Sequence, residues 1–130
     1  MKKVMCFGTF DKLHPGHLFY LEESKKVGDY LIVVVARDEN VLKIKNKLPS
    51  ENELIRLEKL RQLELVDEVI LGNFHDRLAV VRENNPDILC FGYDQQVDEK
   101  SLQEFFSGQM IRQKSFRPEI YKSSKISNEK

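Results

Sequence analysis

The chain has 130 residues, enough for one domain whose core needs neither disulfides nor metal. Lys plus Arg (21) balance Asp plus Glu (21), so no global field draws it to nucleic acid or an anionic membrane, and anion binding must be local. No apolar run approaches the roughly 20 residues of a membrane span. The early apolar run VMCF stops at Gly8 without forming a signal-peptide core, so a cytoplasmic location is expected.

In chain order, KVMCF (3–7) predicts a first strand. Residues 16–27 predict a helix closed by Gly28. YLIVVVA (30–36), continuous and β-branched, predicts a strand buried on both faces. The segment RDENVLKIKNKLP reads as a polar, lysine-bearing connection. It leads to a helix near 51–63, where Leu54, Leu57, Leu60 and Leu63 recur at threes. DEVIL (67–71) predicts a third strand, 75–84 a helix and PDILCFG (86–92) a fourth strand. Residues 99–107 read as helical and 109–114 as a weak strand, before the polar SFRPEIYKSSKISNEK. Cys6 and Cys90 fall in strand-like runs without CxxC or Cys-His spacing and are expected to pack as small reduced hydrophobes.

Strands alternating with helices point to βαβ units. The expected fold is a single doubly wound, Rossmann-like α/β domain with a five-stranded parallel sheet over residues 1–126, followed by a short polar tail at 127–130. Such sheets bind ligands beyond the carboxyl ends of their strands. The segment GTFDKLHPGH (8–17) lies on that edge, at the end of the first strand, and holds two of the chain's three histidines.

Histidines three apart at a helix entrance could be metal ligands, packed residues or an anion site. Catalytic zinc takes three protein ligands, and the remaining histidine, His75, is remote in sequence; no HExxH or local cysteine is present. A packing role fits poorly with a glycine-proline loop, whose backbone needs solvent or ligand partners, although a capping role stays open. The anion reading fits best. Gly8 and Gly16 allow close approach, helix N-terminal amides face the ligand, and His14 and His17 donate ring N–H groups to phosphate. Neither GxxxxGK[ST] nor GxGxxG is present.

At these residues the sequence resembles the cytidylyltransferase-like nucleotidyltransferases, whose signature is a strand followed by GTFDxxHxGH. The resemblance extends over VARDENV (35–41), the lysine segment to Arg56, VDEVILG (66–72) and PDILCFGYDQ (86–95), and there it is similar to the archaeal FAD synthase branch. Glycerol-3-phosphate cytidylyltransferases share GTFD but carry a GDDW-like stretch where this chain has GYDQ. YKSSKI resembles the family's closing serine/threonine-rich motif. Only four residues follow Ile126, so the helix after that motif is expected to be short or absent.

The resemblance implies transfer of a nucleoside monophosphate from an NTP to a phosphorylated acceptor with release of pyrophosphate. The transfer expected here is of AMP from ATP to FMN. The alternatives are a glycerol-3-phosphate-type cytidylyltransferase using CTP and a non-catalytic nucleotide-binding regulator. It implies catalytic roles for His14, His17, Lys45 and Arg56, the last two contacting phosphates. Lys45, which alternates with Lys43 and Lys47 in the lysine segment, would reach the phosphates when the loop closes. Gly8, Thr9, Phe10, His14, Pro15, Gly16, His17, Asp94, Tyr121, Ser123 and Ser124 would bind the nucleotide, with Thr9 and Phe10 supplying backbone and side-chain contacts under it. Asp11 would orient a neighbouring loop amide or histidine. Mg²⁺ would arrive on the triphosphate, with no dedicated protein metal site, and the resemblance favours a homodimer.

Overall fold

The computed structural model describes residues 1–114 except Arg77, Asp94 and Gln96. Its elements are β1 (Lys3–Gly8), α1 (Pro15–Lys26), β2 (Tyr30–Val35), α2 (Asp38–Lys45), α3 (Glu53–Arg61), β3 (Glu68–Leu71), α4 (Ala79–Asn84), β4 (Ile88–Phe91), α5 (Glu99–Gln103) and β5 (Gln109–Arg112). The strands form one parallel sheet in the order β3-β2-β1-β4-β5. The order reverses between β1 and β4, which makes that boundary the topological switch point.

The period of two along each strand divides the core. Val4, Cys6, Leu31, Val33, Val35 and Cys90 face one side, with Leu21 of α1 and Leu57 and Leu60 of α3 packed among them. Met5, Ile32, Val34, Leu89 and Phe91 face the other, against Val80 and Val81 of α4 and Leu102 of α5. Continuous apolar strands are what a sheet covered on both faces requires. Each fully buried Leu contributes about 1.5–3 kcal/mol relative to exposure. Cys6 and Cys90, paired in register on β1 and β4, are both buried and free, and burial raises both thiol pKa values.

Three expectations are corrected. The lysine segment is not a loop: α2 occupies Asp38–Lys45 and ends at Asn46 in the left-handed conformation. Its one buried residue, Val41, leaves too little apolar pattern to reveal a helix. The next helix is Glu53–Arg61, shorter than 51–63, because the Asn52 side chain caps it by accepting from the Ile55 amide. Its leucines at threes drift around the helix by about 60° per step, so Leu60 is buried while Leu54 is 64% exposed. The helix expected at 75–84 begins at Ala79, because the Asn73 side chain turns the preceding segment by accepting from the amides of His75 and Asp76.

No helix among the described residues is long and apolar enough to cross a membrane. The expected boundary at residue 126 and the tail 127–130 lie outside the described residues.

Candidate active site

The site is built where β1 and β4 part. Regular pairing between them ends at Cys6 and Cys90. Beyond it, the Tyr20 hydroxyl takes the Phe7 amide at 3.2 Å and reaches the Cys90 carbonyl at 2.8 Å. The Gln95 side chain then accepts from the Gly92 amide at 2.7 Å and donates to the Phe7 carbonyl at 2.8 Å. In a parallel ladder these four main-chain groups would bond directly. Two side chains stand in their place, so the strand ends diverge with their backbone still satisfied. Arg112, at the end of β5, donates to the carbonyl oxygens of Gly92 and Gln95, both at 2.7 Å, and fixes the far lip of this crevice.

The near lip is GTFDKLHPGH. Phe10 and Lys12 both adopt positive φ, 56° and 51°, an uncommon conformation for residues with side chains. The turn folds the Phe10 ring back over Gly8, where an added Cβ would lie 2.8 Å from Phe10 Cε2. Gly8 therefore makes room for Phe10 rather than for a ligand. The Phe10 ring is only 3% exposed and packs beside Tyr20 and edge-on to His17. The expected side-chain contact of Phe10 with a nucleotide is corrected accordingly: the ring is core, and only its main chain faces the turn.

His14 is the N-cap of α1, Pro15 its first residue, and Gly16 and His17 the next two. Pro at the first helical position suits its fixed φ and missing N–H. Nδ1 of His14 accepts from the Gly16 amide at 3.1 Å, and Nδ1 of His17 accepts from the His14 amide at 3.3 Å. This is a capping box made by two imidazoles. The rings stack with centroids 3.7 Å apart. Because both Nδ1 atoms accept, each neutral ring carries its proton on Nε2, which is left free to donate. The capping role and the anion-donor role thus coexist in the same residues. One detail of the expected cradle changes, since the Gly16 amide is taken by His14.

Burial, then the neighbouring His14, push the His17 pKa down to about 4; Asp11 pulls the other way, and the positive charge of Lys45 adds a weaker push down. At neutral pH His17 is therefore an uncharged N–H donor. Lys45 is the last residue of α2, and its charge acts on His17. Lys43 and Lys45, two apart on a helix, point to opposite sides; they cannot act together as alternating loop lysines would.

Arg56 is where expectation and structure differ most. Its guanidinium is 0% exposed. Nε donates to the Glu51 carbonyl at 2.9 Å, one Nη to the Thr9 carbonyl at 2.8 Å and the other to Asp38 Oδ1 at 2.6 Å. So placed, it offers no face to a phosphate; it ties α3 to α2 and to the turn after β1. Glu53 extends the network, accepting from the Asp38 amide and from Arg37, while its own amide donates to Asp38 Oδ2. Asp11 completes the frame by accepting from the amides of Ser50 and Glu51 at 2.8 and 2.9 Å. Burial raises its carboxyl pKa, but those two bonds and the charges of Arg56 and Lys12 outweigh that and hold it below the usual range. As expected for Asp11, it orients loop amides.

Among the described residues no three His, Cys, Asp or Glu side chains converge as a metal site. The carboxylates at the turn are already engaged: Asp11 and Asp38 by amides and Arg56, and Glu51 by the Lys12 amide and Lys59. Such a donor set fits a cation carried in by a polyphosphate better than one held in a protein cage. Asp94, Tyr121, Ser123 and Ser124 lie outside the described residues. Sequence reasoning missed Tyr20, Gln95 and Arg112, whose partners are main-chain groups.

A doubly wound sheet with a crevice at its switch point, rimmed by a helix entrance with two outward N–H donors, defines an α/β nucleotide- or phosphate-binding protein. The cytidylyltransferase-like family matches residues 5–129, and the chain belongs to that family. It is 43% identical over 126 residues to a protein named FAD synthase from Aciduliprofundum boonei, covering 97% of this chain and 84% of that one. It is 44% identical over 130 residues to another so named from Methanobrevibacter smithii, with the same coverage. A solved structure described as the lipopolysaccharide core biosynthesis protein of Thermoplasma volcanium superposes with a TM-score of 0.83. It is 42% identical, and the match covers 89% of this chain and 98% of that one.

Proposed function

We propose that the chain is an FMN adenylyltransferase, transferring AMP from ATP to FMN to give FAD and pyrophosphate. The observation that carries this reading is the histidine pair locked with both Nε2–H groups free at the mouth of the β1–β4 crevice. The 43–44% identity to FAD synthases over nearly the whole chain supports the choice of substrates.

An FMN phosphate oxygen attacks the α-phosphorus of ATP in line. The bond from that phosphorus to the oxygen bridging to the β-phosphorus breaks, and pyrophosphate leaves with the electron pair. A phosphate nucleophile needs no general base near neutral pH, so the protein's work is positioning and charge neutralisation. His14 and His17 donate Nε2–H to the oxygens on which charge grows, and Lys45 adds a positive charge beside them. Thr9, Phe10, Pro15 and Gly16 supply the main-chain floor, and Gly8 sets their path. Arg56 is a positioning residue in this scheme. Asp94, Tyr121, Ser123 and Ser124 are proposed to complete the nucleotide site. A divalent cation such as Mg²⁺ would be held by the ATP phosphates and waters, and would supply neutralisation of phosphate charge. The chain is further proposed to work as a homodimer, which light scattering tests.

Pyrophosphate release measured over a matrix of ATP and CTP against FMN, glycerol 3-phosphate and sugar 1-phosphates tests the reading. FAD formed from ATP and FMN is the expected result. A CDP-product from CTP in its absence would replace it with a cytidylyltransferase. The sugar phosphates are included because the Thermoplasma volcanium structure is described by a role in lipopolysaccharide synthesis. Tight nucleotide binding with no pyrophosphate from any pair would indicate a regulator.

A further inference from the structure

A second cavity opens on the same sheet edge, at the carboxyl end of β3. It encloses about 220 Å³ and is lined by Arg37, Asn73, Phe74, His75, Val80 and Glu83 among others. Whole small ligands occupy roughly 300–1,000 Å³, so this cavity suits one part of a ligand, of about the bulk of a fused ring system. Phe74, 41% exposed, is its aromatic surface.

Phe74 is held in place. The Arg37 guanidinium sits 4.2 Å from the centre of its ring. Arg37 is itself fixed by donating to the Gly72 carbonyl at 2.8 Å and pairing with Glu53 at 3.1 Å. The Asn73 carbonyl accepts from the Asn40 side chain, and the Asn73 side chain accepts from two amides of its own turn. The cation covers one face of the ring, and the residue keeps 41% of its surface exposed. An exposed aromatic anchored this firmly has lost little entropy left to lose on binding.

The distance fits as well. Gly8 at the end of β1 pairs with Val35 of β2, and Val35 pairs with Leu71 of β3, so the three strand ends are level. Along the sheet edge, two strand spacings, about 10 Å, separate the strand end that carries the histidine turn from the strand end that carries this cavity. The ribityl chain of FMN, extended, holds its ring about that far from its phosphate.

We propose that this cavity seats the isoalloxazine ring of the acceptor, stacked on Phe74, while the acceptor phosphate reaches the histidine pair. The proposal rests on the reading of the chain as an FMN adenylyltransferase. It assigns acceptor choice to Phe74 and Arg37, on the opposite side of the histidines from β4.

Binding of FMN alone, followed by quenching of flavin fluorescence, tests it with the whole chain. Phe74→Ala is expected to weaken FMN binding about tenfold, the scale of one aromatic stack, and Phe74→Tyr to restore it. Ribitol 5-phosphate, which is FMN without its ring, should compete for wild type and Phe74→Ala equally. Unchanged FMN binding by Phe74→Ala, while the wild type still makes FAD, overturns the proposal and spares the adenylyltransferase reading. Equal weakening of ribitol 5-phosphate overturns it too, since Phe74 would then act on the loop and not the ring. A wild type that makes no FAD from ATP and FMN removes both.

Discussion

His14 and His17 each turn Nδ1 inward to a main-chain amide, 3.1 Å from Gly16 N and 3.3 Å from His14 N, and so each must present Nε2 outward. One pair of residues starts the helix and arms the site. The two roles separate by substitution. Asn is among the best N-caps, so His14→Asn is expected to keep the melting temperature within a degree or two while lowering kcat about 10²–10³-fold. His14→Ala should lose the rate and also about 1 kcal/mol of stability. Equal melting temperatures for the two variants would argue against the cap.

The lowered His17 pKa has a direction that can be read in stability. Above pH 6.5 the ring is neutral folded or unfolded, and the fold is at full strength. Between 6.5 and about 4 the unfolded chain takes up a proton that the folded ring refuses. Stability therefore falls as pH drops through that window and levels off below it. A histidine NMR titration of the free protein should place His17 near 4. ATP binding should move it upward, because phosphate charge favours the imidazolium.

Arg56 offers the clearest separation of positioning from ligand contact. Arg56→Met leaves Asp38 and the carbonyls of Thr9 and Glu51 without their donor, at an expected cost of about 3–5 kcal/mol in urea unfolding. A direct phosphate ligand would instead raise the KM for ATP with the unfolding midpoint unchanged.

Gly8→Ala would press a methyl group into Phe10, and overpacking of this kind costs about 1–3 kcal/mol. Phe10→Leu in the same chain removes the offending ring edge. The double variant should regain part of the stability lost by Gly8→Ala, a coupling visible in a double-mutant cycle. Simple additivity would show that the two residues do not press on each other.

Strands β1, β2 and β4 were readable because each is a short apolar run whose burial on both faces needs no partner to be known. The histidine turn was readable because glycine, proline and histidine are crowded where a strand must end. Helix α2 was not, since a single buried Val41 gives no period. The leucines of α3 were over-read as one stripe although a spacing of three rotates away from the core. The phosphate contact expected of Arg56 came from the resemblance alone, for an arginine on an amphipathic helix carries no mark of burial; Thr9 and Asp38, from other segments, and the nearby Glu51 carbonyl decide its place. Tyr20, Gln95 and Arg112 gave no signal at all, for their partners are main-chain atoms: Phe7 and Cys90 for Tyr20, Gly92 and Phe7 for Gln95, Gly92 and Gln95 for Arg112.

Tyr20 and Gln95 have a consequence for how such a site can change. Main-chain bonds fix neighbouring strands at one separation, whatever the sequence. Between Phe7 and its neighbours on β4, that separation is instead set by the length of two side chains. The width of the cleft is therefore a heritable dimension: a substitution at either position alters it without disturbing the ladder beneath. The sheet below can stay constant while the gap above it is refitted to a different nucleotide.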